Sequence, residues 1–246
     1  MPNQSSNGRP VLSSIIIGFS IIFSTIIAGW TFYAVRSFDN VLSVTGSARQ
    51  SVKADQVKWT TNWSRVVYES ALKSGYAQMD KDLTEVKAYF KTNGIDEKNI
   101  TFSPVFMDQY YDYKSDGSNG YKQYTLRQSA ELNSSDIDKV TALANNTAPL
   151  IGKGVLFSTN SLEYYYSKLA DLRVNLISDA IKDARARAEK LAESSGQSVG
   201  YLKSASTGVV QVLSANSIEV SDYGSYDTSK IDKDVMLTVR ASFTVR

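Results

Sequence analysis

The chain has 246 residues, with 27 Lys and Arg against 25 Asp and Glu, and it contains neither histidine nor cysteine. Those two absences rule out Ser-His-Asp and Cys-His nucleophilic sites, thiol redox pairs and the common structural zinc sites. Setting aside Arg9, Arg36 and Asp39 leaves a net charge of +1 over residues 41–246, which offers no general attraction for nucleic acid.

Residues 1–10, rich in Asn, Gln, Ser, Gly and Pro, have the composition of a disordered tail. Val11 to Val35 then runs for 25 residues without a charge, with seven isoleucines spread over every helical face. At about 1.5 Å per residue this segment crosses a hydrocarbon core of about 30 Å, so residues 11–35 are predicted to form a transmembrane helix. A cleaved secretory signal is the competing reading, but signal cores are shorter and end in a small-x-small site. Here Ala28 and Gly29 are followed by Trp30, Phe32 and Tyr33, which suit the interfacial belt of a retained span. The flanking cations Arg9, Arg36, Arg49 and Lys53 do not decide orientation. A short tail before a single span makes the amino terminus cytoplasmic, placing residues 41–246 in the periplasm or outside the cell, on an inner-membrane anchor.

Val41 to Val67 is rich in Val, Thr, Ser and Trp and reads as one long strand or a hairpin-like pair, with a turn or bulge at Lys53-Ala54-Asp55. Leu72, Tyr76, Met79, Leu83, Val86 and Phe90 recur at intervals of three and four, predicting an amphipathic helix over residues 70–92, stopped by Gly94. Asn99 to Tyr113 and Tyr121 to Leu132 read as a hairpin. Ser134 or Ser135 is the expected cap of a shorter helix closed by Pro149. A strand over residues 155–165 precedes a long helix over residues 167–195, with Leu169, Leu172, Leu176, Ala180, Ala184, Ala188 and Leu191 on its apolar side and Gly196 beyond it. Val199 to Leu213 and Asp234 to Val245 are the last strands, separated by a polar stretch from Asn216 to Lys230. The order strand, long helix, two strands thus occurs twice, in halves 41–132 and 155–246. It predicts an α+β ectodomain of duplicated β-α-β-β plan, helices packed on a mainly antiparallel sheet.

Three fragments invite chemical readings and have simpler ones. Gly152-Lys153-Gly154 lacks the Ser or Thr and the preceding glycine of a phosphate loop. Asp108, Asp112 and Asp116 lack the ligand spacing and terminal Glu of a calcium loop. Arg185, Arg187 and Lys190 alternate with Asp179, Asp183, Glu189 and Glu193, as on a salt-bridged solvent face. No catalytic, cofactor or metal site is predicted. More distinctive is the gathering of Tyr110, Tyr111, Tyr113, Tyr121 and Tyr124, five of fifteen tyrosines, around one glycine-containing hairpin tip. Such a cluster reads either as a contact surface for a partner or as cross-strand stabilisation of the hairpin.

Val44-Thr45-Gly46, Lys53-Ala54-Asp55, the helical run from Ala180 to Ala192, Gly196, Val199-Gly200 and the alternating terminal strand together resemble the SIMPL domain family of envelope and periplasmic proteins. The resemblance covers residues 41–246. It implies an extracytoplasmic α/β domain without established catalytic residues, assembly into large oligomers in some members and links to envelope or oxidative stress in others. On this reading the chain is a non-enzymatic, membrane-anchored scaffold that forms homo-oligomers. A ligand-binding or adaptor module presenting the tyrosine hairpin is the alternative.

Overall fold

The computed structural model describes the backbone of residues 8–37, 40–113, 119–217 and 223–246, and within them the side chains of residues 13–33, 40–110, 122–217 and 223–246. In chain order the elements are α1 (Gly8–Ser37), β1 (Val41–Lys53), β2 (Gln56–Tyr68), α2 (Leu72–Thr92), β3 (Ile100–Phe102), β4 (Phe106–Tyr113) and β5 (Asn119–Ser134). There follow α3 (Ile137–Asn145), α4 (Ala148–Gly152), β6 (Phe157–Tyr165), α5 (Leu169–Ser194), β7 (Val199–Thr207), β8 (Gln211–Ser214), β9 (Ser225–Tyr226) and β10 (Asp232–Val245). The chain divides into two compact units: Met1–Ala48 with Ile177–Gly208 and Thr238–Arg246, and Arg49–Leu176 with Val209–Leu237. The fold is mixed α+β, with two mainly antiparallel sheets.

Helix α1 includes Gly8 to Pro10, which composition alone assigns to a tail; residues 1–7 lie outside the described residues. Between Ser13 and Tyr33 its mean hydropathy is 2.1 and none of it is buried in the protein, so it is long and apolar enough to cross a membrane. Two of its hydroxyls are satisfied within the helix. Ser20 Oγ donates to the Ile16 carbonyl and Thr25 Oγ1 to that of Ile21, each at 2.8 Å, which lowers the cost of placing them in lipid.

In the larger unit β2 lies between β5 and β6, antiparallel to both, and β5 carries β3 and β4 on its other side. Period-two alternation sends Val57, Trp59, Trp63, Leu126, Ala130 and Leu132 to one face, where they form the core with Met79, Val86 and Phe90 of α2. Trp59 meets Phe90 and Phe157 edge-on, at 5.7 and 6.1 Å between ring centroids. The buried face of α2 is Gly75, Met79, Asp82, Val86, Tyr89 and Phe90. It is rotated from the expected stripe, leaving Tyr76 exposed. Gly94, at φ 68°, closes the helix in the left-handed region that glycine adopts without strain.

Several expected boundaries shift, each for a local reason. The Val41–Val67 segment is no hairpin, because β1 and β2 belong to different sheets. At the break the Ala54 N–H donates to the Ile231 carbonyl and the Asp55 N–H to that of Tyr165, both at 2.9 Å. Asn99 to Tyr113 splits at Ser103-Pro104-Val105 into β3 and β4. Asp136 is the cap of α3, its carboxylate accepting the Lys139 N–H at 3.1 Å, whereas Ser134 Oγ accepts the Asp136 N–H. Pro149 opens α4, since its missing N–H costs nothing in a first turn. Val199 to Leu213 breaks into β7 and β8, and the polar stretch contributes the short β9, parallel to β8.

The second sheet has the order β1-β10-β8-β9, with β7 also on β10. Each sheet therefore carries a strand from the other half of the sequence, β6 in the first and β1 in the second. In the smaller unit the apolar face of α5 is Ala180, Ala184, Ala188 and Ala192, all buried, and Ala184 and Ala188 pack with Val44, Ala241 and Phe243. Leu191 is exposed and Ala192 holds the place expected for it. Gly46 of β1 lies against this helix so closely that a Cβ there would overlap the Ala180 carbonyl oxygen and the Ala184 backbone nitrogen.

Candidate functional site

The helix-covered face of the larger sheet is filled; its other, open face exposes large side chains at the hairpin end. Register fixes which side chains that face presents. Tyr110 stands opposite Gln123, which stands opposite Tyr68; Asp108, Thr125 and Val66 form the next row, and Phe106, Arg127 and Ser64 the third. Tyr110 (64% exposed), Tyr68 (51%), Val66 (63%) and Phe106 (57%) make an exposed apolar group at the hairpin end of this face. Further along, the same face turns polar. Arg127 pairs with Asp108, Lys58 with Glu131 at 2.9 Å, and Asn62 bridges to Asn160 and Ser158. The Glu131 hydrogen bond holds the Lys58 ammonium above its ordinary value, and Asn133 and Lys58 together hold Glu131 below the usual carboxylate range.

The tyrosine cluster is thus divided rather than gathered. Tyr124 stands opposite Gln109, on the helix-covered face, and is buried (8% exposed), whereas Tyr110 projects from the open face. The backbones of Tyr111 and Tyr113 pair with Lys122 and Asn119, and the side chains of Tyr111, Tyr113 and Tyr121 lie outside the described residues. The contributions of Val66, Tyr68 and Phe106 were missed by sequence reasoning. Their signal was the strand period, which places Val66 with Tyr68, two apart, and Phe106 with Tyr110, four apart, on one face; Val67 between the first pair masked it.

Two clusters of buried charge stand elsewhere in the larger unit. On the helix-covered side Arg65 meets buried Asp82 through two bonds of 2.7 Å and donates a third, at 2.6 Å, to the Gly154 carbonyl. Gln78 donates to the same carboxylate. The hydrogen bond to Asp82 raises the Arg65 pKa, so the guanidinium stays charged. In β10, Lys233 is fully buried; it donates to the Asp227 carbonyl and lies 5.6 Å from the centre of the Tyr226 ring. Burial pushes its ammonium pKa down. Next to it Asp234 accepts from Ser51 Oγ and Arg49 at 2.5 Å and from the Asn216 N–H at 3.1 Å, which depress its pKa. The neighbouring hydroxyl of Ser229 is spent on the Asp227 carboxylate at 2.7 Å, not on the Lys233 amine. This cluster is wired as a structural tie rather than as an activated Ser-Lys pair.

The other sequence fragments find ordinary partners. Lys153 binds Glu85 at 2.6 Å, and the Gly154 carbonyl is held by Arg65. Asp112 and Asp116 side chains lie outside the described residues, within which no group of three acidic side chains is placed to hold a metal. Arg185, Arg187 and Lys190 pair with Glu189, Asp183 and Glu193 along the solvent face of α5.

Residues carrying the family resemblance make local ties within each unit. Asp183 of α5 accepts the Ser47 N–H at 2.8 Å, next to Gly46, and is held below the usual carboxylate range by that bond and by Arg187. Asp55 accepts the N–H and the hydroxyl of Ser167 just before α5, both at 2.7 Å. Comparison with known proteins agrees. Residues 42–246 match the model of the family described as SIMPL, protein of unknown function (DUF541). A curated relative, the uncharacterized protein YggE of Edwardsiella ictaluri (strain 93-146), is 26% identical over 124 residues, and the match spans about half of each chain, 50% of this one and 50% of the relative. With the family model covering most of its length, the chain belongs to the SIMPL family.

Proposed function

We propose that this protein is a non-enzymatic envelope scaffold, held in the inner membrane by α1, whose ectodomain faces away from the cytoplasm and self-associates through the open face of its larger sheet. The observation that carries this reading is the exposed group of Tyr110, Tyr68, Val66 and Phe106 on the face opposite the core. Isolated exposed apolar residues are ordinary, but four on adjacent cross-strand rows, two of them tyrosines, form the kind of patch that interfaces bury. A stress-related role accords with the family resemblance. The adaptor alternative called for a concave aromatic site beside Tyr110 and Tyr124, and their opposite faces disfavour it.

Native mass spectrometry of the full chain released from detergent tests the proposal. An oligomer that dissociates in the Tyr68→Ser/Tyr110→Ser double variant, with the melting temperature kept, supports it. A native chain that stays monomeric at high concentration overturns it, as does an oligomer indifferent to the double change.

A further inference from the structure

The last turns of α2, the connection after them and strand β3 enclose a cavity of about 340 Å³, at the lower end of the size range of small-molecule sites. Its floor is Phe90, Ile95, Ile100 and Phe102. The first three belong to the core and are held there by packing, so they present a fixed apolar surface. Lys87, Lys91, Asp96 and Glu97 stand around it. Three of these four charges are already matched. Lys87 pairs with Glu97 at 2.6 Å and lies 5.0 Å from the centre of the Phe102 ring, and Asp96 pairs with Lys98 at 2.8 Å. The Lys91 ammonium has no such partner among the described residues.

A helix C-terminus ordinarily favours cations because its last carbonyls lack donors. Here three of the last four are occupied. The Tyr89 carbonyl accepts from the Asn93 N–H and from Asn93 Nδ2, that of Phe90 from the Ile95 N–H at 3.0 Å, and that of Lys91 from the Gly94 N–H at 3.0 Å. Lys139 Nζ donates to the Gly94 carbonyl at 2.8 Å. The unmatched charge of the cavity is therefore positive, above an apolar floor.

We propose that this cavity binds a small amphipathic carboxylate, its apolar body on Phe90, Ile95, Ile100 and Phe102 and its carboxylate on the Lys91 ammonium. The proposal is independent of self-association. Most of the affinity comes from the apolar body, because an exposed ion pair contributes little, and the charge supplies the preference for an anion.

The test is saturation-transfer NMR of 4-phenylbutyrate with the full chain in nanodiscs, referenced to empty nanodiscs, with 4-phenylbutylamine as the charge-reversed probe. Saturable binding of the carboxylate over the amine is expected. Lys91→Glu should weaken carboxylate binding about two- to fivefold, while Lys81→Glu, an equal charge change on an exposed position of the same helix, leaves it unchanged. Ala88→Trp, at an exposed residue lining the cavity, should abolish binding, with the melting temperature of each variant kept. The inference fails if the native chain shows no saturable binding, if the amine binds as well as the carboxylate, if Lys81→Glu matches Lys91→Glu, or if Ala88→Trp still binds.

Discussion

Helices α2 and α5 are both amphipathic and pack on sheets by opposite means. α2 buries Met79, Val86, Tyr89 and Phe90, bulky side chains that hold its axis away from β2 and β5. That separation leaves room for Arg65 to reach across from the sheet to Asp82. Along Ala180, Ala184, Ala188 and Ala192 the helix α5 has no such room, and the strand it meets has glycine at the closest point. Polar contact there runs instead between a strand N–H and the flank of the helix, from Ser47 to Asp183. A wide interface admits a buried ion pair; a narrow one, at its closest point, admits only backbone and small side chains.

The contrast is broken most sharply at its narrowest point. Gly46→Val should cost more than about 4 kcal/mol, or prevent folding, since the three atoms of α5 that a Cβ would meet, the Ala180 carbonyl oxygen and the Ala184 nitrogen and Cβ, are all fixed by the backbone; a denaturation midpoint near the native value would show that the approach is looser than described. Next comes the broad part of α5, where Leu176→Ala should cost about 3–4 kcal/mol by emptying a buried site. Asp82→Ala should cost about 3 kcal/mol by stranding Arg65 in the α2 interface, at the lower end for broken buried pairs because the guanidinium retains some contact with water. Asp82→Asn should recover part of that loss.

A smaller effect concerns acid. Asp183 and Asp234 have folded pKa values below their unfolded ones, so the stability they contribute is fully present above about pH 4 and is lost as pH falls through the folded values. Melting temperatures should be insensitive to these groups from about pH 5 to 7 and decline below about pH 4; the decline should be shallower in Asp234→Asn, and an unchanged slope would remove Asp234 from the account. Smallest of all, Arg185→Ala should change stability by less than about 0.5 kcal/mol, because its pair with Glu189 lies in solvent.

Much of this was legible from periodicity. The α5 stripe through Ala188 and the alternation of Val235, Leu237, Val239, Ala241 and Phe243 were both visible, because burial on one face imposes a period that no local interaction disguises. Asp82 was not, since a charged residue inside an apolar stripe looks like its edge until a partner 17 positions away is placed beside it. Nor was the separation of β1 from β2, which depends on hydrogen bonds to Ile231 and Tyr165 far along the chain. For the candidate surface, the sequence located the hairpin but not its faces. Composition counts tyrosines; only register says that Tyr110 and Tyr124 point apart.

The link between α1 and β1 carries one more consequence. The helix ends at Ser37 and the strand begins at Val41, and so short a segment extends no more than about 14 Å between those residues. With α1 retained in the bilayer, the start of β1 is confined to a thin layer over the membrane surface, and neighbouring copies diffuse in two dimensions instead of three. Tethering of this kind raises effective concentration without any new contact. If the open face self-associates as proposed, a patch as small as the four exposed side chains beside the hairpin can govern assembly in the membrane at an intrinsic affinity too weak to hold the same domains together once they are cut free.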